Sequence, residues 1–222
     1  MTCAALPIAP VGTVTSGYGY RNRPSGIDLH TGVDLGAPRG TPVYAMFPGQ
    51  VVVSAPSGQL SGYGQTVVVQ HSPTLFALYA HLDRRDVARG AVVEPGQQLG
   101  TVGTTAGTRD NPAATFKTSG PHLHLEFLSK WPPSGRDADR LHVGKVLGTY
   151  GVIVPERGPL MRACGPADVM PVPTNTTSST PRPVVLPAPS SPQYTRAPLV
   201  ARSSGFGAGL AFLALVALAG AR

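Results

Sequence analysis

Three short stretches of the chain carry imidazoles and carboxylates at spacings that could serve one centre. The first is Pro121-His122-Leu123-His124-Leu125-Glu126-Phe127. Polar and apolar residues alternate there with the period of a β-strand, which puts His122, His124 and Glu126 on one face and Leu123, Leu125 and Phe127 on the other. Positions two apart on a strand are about 6.6 Å apart, so both imidazoles can reach into one site. The second is His30-x-x-x-Asp34, flanked by glycines, and the third is His81, at the end of Tyr79-Ala80-His81-Leu82. Each alone is weak. A lone His-x-His also describes a partly exposed strand with two incidental histidines, and His-x-x-x-Asp is frequent by chance. Together they fit a catalytic zinc site, which takes three N/O ligands and keeps one position open for water. Two histidines and one carboxylate meet that count, and the other two histidines would support the ligands or act on the substrate. His71 and His142 have no partner motif and read as structural.

The elements that must position these residues read as short strands. Residues 41–47, 50–55, 65–71, 75–81, 97–103 and 121–128 are β-rich runs separated by turn residues such as Pro48-Gly49, Ser72-Pro73-Thr74 and Pro95-Gly96. Residues 11–20 form a short strand entering a glycine turn. Residues 26–36, with Gly32, Gly36 and Pro38 close by, read as a loop with short extended pieces. Residues 57–64 are a glycine-rich loop and 104–120 a long polar one. After Trp131 the pattern weakens, with room for edge structure or one short helix over 137–147. This organisation predicts a mainly β fold, a compact antiparallel β-sandwich or open barrel.

Composition agrees with that class. The chain has 222 residues, with 27 Gly, 24 Pro and only 13% charged residues. Its net charge of +7 is spread out: residues 1–164 hold 14 basic and 10 acidic residues, and the remainder holds 4 and 1. No basic cluster interleaved with aromatics is present, so no nucleic-acid partner is expected. A mild positive excess is compatible with an anionic wall or membrane surface. Cys3 and Cys164 bracket the folded region and could pair in an oxidising compartment or stand as two free thiols. Residues 1–164 read as the folded domain and 165–202 as a Pro/Ser/Thr-rich linker, with nine prolines between 166 and 198. Residues 203–221 carry no charge over 19 positions. As a helix this run would be about 28 Å long, near the ~30 Å hydrocarbon thickness, and it reads as a single C-terminal transmembrane segment.

The order His30-x-x-x-Asp34, His81, His122-x-His124 resembles the lysostaphin-type (LytM-like) zinc metalloendopeptidases of bacterial cell walls. Framing sequences resemble that family too: Ser16-Gly17-Tyr18-Gly19-Tyr20-Arg21, His30-Thr31-Gly32-Val33-Asp34-Leu35, Pro42-Val43-Tyr44-Ala45, Gly62-Tyr63-Gly64 and Gly120-Pro121-His122. The resemblance covers about residues 13–130. It implies a zinc site in a groove, with His30, Asp34 and His124 as Zn²⁺ ligands and His81 and His122 flanking the attacking water and the scissile carbonyl. His122 then fits a general base, and His81 fits a group that stabilises the oxyanion or helps hold the water. The scheme needs neither Asp28 nor Glu126. Glu126 either orients one imidazole or is a plain surface carboxylate.

The implied substrate is a peptidoglycan peptide, in a stem cross-link or an interpeptide bridge. The loops 57–64 and 104–120 would wall a narrow groove suited to small or D-configured residues. A non-enzymatic relative that binds wall or serves as a structural module is the competing reading, and the presence of all five residues favours the enzyme. No signal peptide is visible at the N-terminus. Arg196 and Arg202 precede the apolar run and Arg222 follows it, which by the positive-inside rule puts the domain on the cytoplasmic side. A phage virion or lysis enzyme anchored by the C-terminal segment would reconcile that address with a wall substrate. A bacterial envelope hydrolase is the alternative.

Overall fold

The structure is a computed structural model, and it describes residues 4–8, 12–24, 26–60, 62–106, 120–135 and 137–162. The proposed linker, the apolar run 203–221, both cysteines and most of the loop 104–120 lie outside the described residues. Those described fall within one unit, Met1–Thr177.

The strands follow in chain order: β1 (Thr13–Ser16), β2 (Gly19–Arg23), β3 (Gly26–His30), β4 (Val33–Gly36), β5 (Pro42–Tyr44), β6 (Gly49–Ala55), β7 (Gln65–Ser72), β8 (Leu75–Arg85), β9 (Val92–Val93), β10 (Gln98–Val102), β11 (His122–Leu128) and β12 (Arg140–Leu141). Helix α1 (Val143–Thr149) and β13 (Val152–Ile153), β14 (Gly158–Pro159) and β15 (Met161–Arg162) complete the set. The main sheet runs β14-β1-β4-β11-β8-β7-β6-β9, with β10 joining β8 to β5 and β12 added to β11. The path is open at β14 and β9, and every pairing is antiparallel. Separate two-stranded ribbons join β2 to β3 and β13 to β15.

Alternation sorts the side chains of the central strands into two layers. Ala77 and Tyr79 of β8 and Leu123, Leu125 and Phe127 of β11 pack in the main core with Val33, Leu35, Val67, Val69 and Leu99. Fully burying each such aliphatic side chain contributes roughly 1.5–3 kcal/mol. Their neighbours Phe76, Leu78, Ala80 and Leu128 form a smaller cluster on the opposite face, backed by Tyr63 and Trp131. The opposite face of β11 is therefore covered as well, and all seven of its residues are buried. On the histidine face, His122, His124 and Glu126 are buried.

Two expectations sharpen. The short extended pieces read within the loop 26–36 are the strands β3 and β4, with Asp34 paired directly to His124 across β4 and β11. The glycines that signalled a loop serve close approach instead. The expected helix over 137–147 begins later, at Val143, because Arg140 and Leu141 first pair with Leu128 and Phe127 of β11. His142 caps that helix, its ring accepting from the Lys145 N–H and lying 4.8 Å from the Tyr18 ring.

Candidate active site

The main sheet and the β2–β3 ribbon bring His30, Asp34, His81, His122 and His124 together. Register does much of this. His124 lies opposite Asp34 on one side and Ala80 on the other, and His122 lies opposite Gly36. Cross-strand partners have Cβ atoms about 4.5–5.5 Å apart, within reach of a shared site. His30 comes from the end of β3, one tight turn before β4.

His81 needs a different device. It follows Ala80, so strict alternation would send it into the main core beside Tyr79. Instead β8 carries an extra residue here: Gln65 and Val67, two apart on β7, pair with Leu82 and Tyr79, three apart on β8. His81 occupies this bulge at φ 59°, a left-handed conformation uncommon for a residue with a Cβ. The bulge turns the ring to the histidine face, 4.9 Å from the His122 ring and 5.7 Å from that of His124. It also returns Leu82 to the main core. Such a conformation persists only where the surrounding structure holds it.

Three donor atoms converge. His30 Nε2 is 3.1 Å from Asp34 Oδ1 and 3.1 Å from His124 Nδ1, and His124 Nδ1 is 2.8 Å from Asp34 Oδ1. Among the described residues this is the trio of metal-ligating side chains whose donors cluster. The hydrogen bonds on the far sides of the rings assign the protons. His30 Nδ1–H donates to the Gly17 carbonyl at 2.6 Å, so Nε2 keeps its lone pair. His124 Nε2 faces Glu126 Oε1 at 2.9 Å, and with the proton held there Nδ1 offers its lone pair to the centre. Two lone pairs and a carboxylate then face one another, an arrangement that calls for a cation. Two N and one O donor at these separations suit the small tetrahedral shell of Zn²⁺. The donor set fits the zinc cofactor of the resembled family.

In the metal-free chain a proton takes the cation's place. Burial disfavours charge on His124, but its hydrogen bonds to Asp34 and Glu126 prevail and raise its pKa to about 9. Burial likewise pushes the Asp34 carboxyl up, and the His124 and His30 hydrogen bonds outweigh it, holding the group far below the ordinary carboxylate range.

His81 and His122 share a second pattern. His81 Nδ1–H donates to the Thr105 carbonyl at 2.8 Å, and His122 Nδ1–H donates to the Gly120 carbonyl at 2.9 Å. Both rings therefore offer a bare Nε2, and that of His122 lies 3.7 Å from Asp34 Oδ1. Burial, then the neighbouring His124, lowers the His81 pKa to about 4, so it is neutral near pH 7. Thr105 is itself held in place. Its hydroxyl donates to the Leu82 carbonyl at 2.6 Å and accepts from the Gln65 N–H at 2.9 Å. Gly64 (φ 64°) passes so near that a Cβ there would meet the Thr105 carbonyl oxygen at 2.2 Å.

Supporting groups that sequence reasoning missed surround this centre. Gly32 leaves room for His124, since a Cβ there would lie 2.4 Å from the Leu125 carbonyl oxygen and 2.8 Å from the His124 ring. Arg21 grips Asp28 with two bonds of 3.1 Å, donates to Ser16 Oγ at 3.0 Å and places a guanidinium nitrogen 3.8 Å from Asp34 Oδ2. Asp28, set aside from the sequence, thus orients the cation beside a candidate ligand. Glu126 is no surface carboxylate: it is 0% exposed and meets His124, Thr31, Tyr63 and Arg140. Arg21, Tyr63 and Thr31 stand inside the quoted motifs, whereas nothing in the sequence around Arg140 marked it.

The chain is similar to known proteins. Over 115 residues the chain is 37% identical to DD-carboxypeptidase/endopeptidase Mpg of Neisseria meningitidis, covering 51% of this chain and 24% of that protein. Over 102 residues it is 40% identical to peptidoglycan DD-endopeptidase ShyC of Vibrio cholerae, covering 46% of this chain and 21% of that protein. The chain thus spans less than a quarter of the length of these curated relatives. The solved structure of LytU shares the fold, with a TM-score of 0.50 at 22% identity over 62% of this chain and 86% of that one. The family model of peptidase family M23 matches residues 28–151, more than half of the chain and the whole span from Asp28 to α1, and the chain belongs to that family.

Proposed function

We propose that this chain is a zinc-dependent endopeptidase that hydrolyses peptide cross-links of bacterial peptidoglycan, with His30, Asp34 and His124 as metal ligands and His81 and His122 as catalytic residues. The observation that carries the reading is the donor triangle of His30 Nε2, Asp34 Oδ1 and His124 Nδ1, with two further imidazoles turned toward it. Relatives named peptidoglycan DD-endopeptidases support a bond between D-configured centres as the one cut.

Zinc, when bound here, supplies Lewis-acid polarisation of the peptide carbonyl and acidifies water. The side chains do the rest. His81 and His122 both offer a bare Nε2, so either can accept the proton that water loses as its oxygen attacks the carbonyl carbon. His122, whose Nε2 is close to Asp34, is assigned as the base. Once the base holds the proton, it can return it to the amine nitrogen as the C–N bond breaks. His81 enters neutral and as an acceptor, which favours holding the water over donating to the oxyanion. The sheet buries His30, His122 and His124, where such contacts are stronger than in water.

The test is zinc content together with hydrolysis of purified cell walls. His124→Ala should lose metal and activity together. His122→Ala should keep most of the metal and lose activity. A wild-type chain that takes up no zinc, or wall clearing that persists in His124→Ala, overturns the reading. The proposal extends to location, in a phage virion or a bacterial envelope, with 203–221 as a membrane anchor. Its support is the uncharged 19-residue run. Among the described residues no helix is long and apolar enough to cross a membrane. Detecting the protein in purified virions would favour the first location, and detecting it only in envelope membranes the second.

A further inference from the structure

We infer that the buried pair Glu126–Arg140 is a positioning device for the metal centre: Glu126 fixes the His124 ring with Nδ1 toward the metal, and Arg140 holds Glu126 in place. The inference rests on the zinc reading above and adds residues to it.

The geometry leaves Glu126 few other roles. It is 0% exposed, and it touches His124 through Nε2, on the side of the ring turned away from the Nδ1 donor. That position removes it from the ligand set, and its burial removes it from contact with substrate. Its Oε1 also accepts from the Tyr63 hydroxyl at 2.9 Å and from Thr31 Oγ1, and its Oε2 accepts from Arg140 Nε at 3.2 Å. The Arg140 side chain is only 5% exposed. Its remaining donors go to Tyr63 Oη at 3.1 Å, to the Gly135 carbonyl at 2.9 Å and to the Ala138 carbonyl at 3.0 Å.

A buried ion pair is weak evidence for stability, because well-packed apolar residues of the same volume often serve as well. Apolar packing is at hand in Leu78, Ala80, Leu128 and Trp131. What apolar residues would not do is accept the His124 Nε2–H. A carboxylate in that role fixes the ring tautomer and makes the opposite nitrogen a better donor to a metal. His30 lacks this feature, since its far nitrogen meets a neutral carbonyl. The arrangement also ties Gly135, Ala138 and Arg140 to the centre, so residues with no motif of their own support a ligand on another strand.

The experiment uses the full chain with Glu126→Gln, Arg140→Met and the double variant. Zinc affinity is measured by competition with a chromophoric chelator, and the metal-free melting temperature by circular dichroism. If the pair only balances buried charge, the double variant regains wild-type zinc affinity. On the inference, the double variant melts near wild type yet still binds zinc about 10–100-fold more weakly, while Arg140→Met alone loses less. Wild-type affinity in the double variant overturns the inference. A second readout needs no variant. In the zinc-loaded chain, nitrogen-15 shifts of His124 should show Nε2–H toward Glu126 with Nδ1 on the metal, and the opposite arrangement also overturns the inference. A wild-type chain that binds no zinc sinks the function proposed above together with the inference, whereas wild-type zinc affinity in the double variant overturns the inference alone.

Discussion

The two halves of the centre are anchored differently. On the metal side, His124 leans on a carboxylate that is itself held by Arg140, and Asp34 has Arg21 beside it. On the other side, His81 and His122 lean on the neutral carbonyls of Thr105 and Gly120. Both kinds of partner fix a tautomer, but only the charged one makes the opposite nitrogen markedly more basic. A ligand gains from that. A group that must take up a proton and release it within one turnover is served better by the weaker partner, while burial and the neighbouring His124 keep His81 neutral and able to accept. The difference also separates strand from loop. The charged anchors stand on or beside strands, whereas the two carbonyls flank residues 107–119.

The comparison predicts a ranking of effects. The largest belongs to the metal side. Asp34→Ala should bring zinc content to background and lower wall hydrolysis more than about 10³-fold, the scale on which a main electrostatic contributor acts. Substantial activity without zinc would break the division into two halves. Next, His122→Ala and His81→Ala should each keep zinc and lose about 10²–10⁴-fold in kcat/KM. If the two act as a unit, the double variant should be little worse than the worse single one, and multiplying losses would show independent roles.

The pH dependence of the two halves should differ in its window. Zinc competes with the His124 proton, whose pKa is about 9 in the metal-free chain. Zinc affinity should therefore rise with pH up to about 9, by at most about tenfold per pH unit, as a chelator titration from pH 6 to 9 would show. Glu126 contributes in the opposite range. Burial raises its pKa, and its hydrogen bond from His124, with help from Thr31 and Arg140, outweighs that and lowers it from 4.5 to about 2. The folded state thus binds this proton less readily than the unfolded state, so its stabilisation is full above 4.5 and is lost as pH falls toward 2. His81, lowered from 6.5 to about 4, adds a loss of the same sign as pH falls from 6.5 to 4. Metal-free melting temperatures across pH 3–7 check both.

Smaller effects sharpen the picture. Gly32→Ala should destabilise the chain by about 1–3 kcal/mol and weaken zinc binding, because the added methyl would displace His124. Tyr63→Phe removes one of several donors to Glu126 and should cost about 1 kcal/mol in stability, with only a few-fold loss of zinc affinity. A loss as large as that of Glu126→Gln would shift the anchoring role to Tyr63.

Much of the fold was legible because alternation is a local signal. The strands β6, β7, β8 and β10 follow short β-rich runs bounded by turn residues, and β11 follows strict alternation. Residues 26–36 were legible only as short extended pieces in a loop, because a glycine that permits a turn and one that makes room for a ring look the same in sequence. Arg140 was invisible because its partner is 14 residues away on another strand, and no spacing rule connects the two.

The sequence by itself determined which residue types were available: four histidines and an aspartate in three motifs, on a chain patterned for antiparallel strands. It also placed His122 and His124 on one face, since two residues make one strand period. The tertiary structure decided their division of labour. Register set His124 against Asp34, the bulge in β8 turned His81 out of the core, and the partner on the far side of each ring chose which nitrogen faces the centre. Those choices depend on contacts between residues distant in the chain, and local spacing carries no record of them.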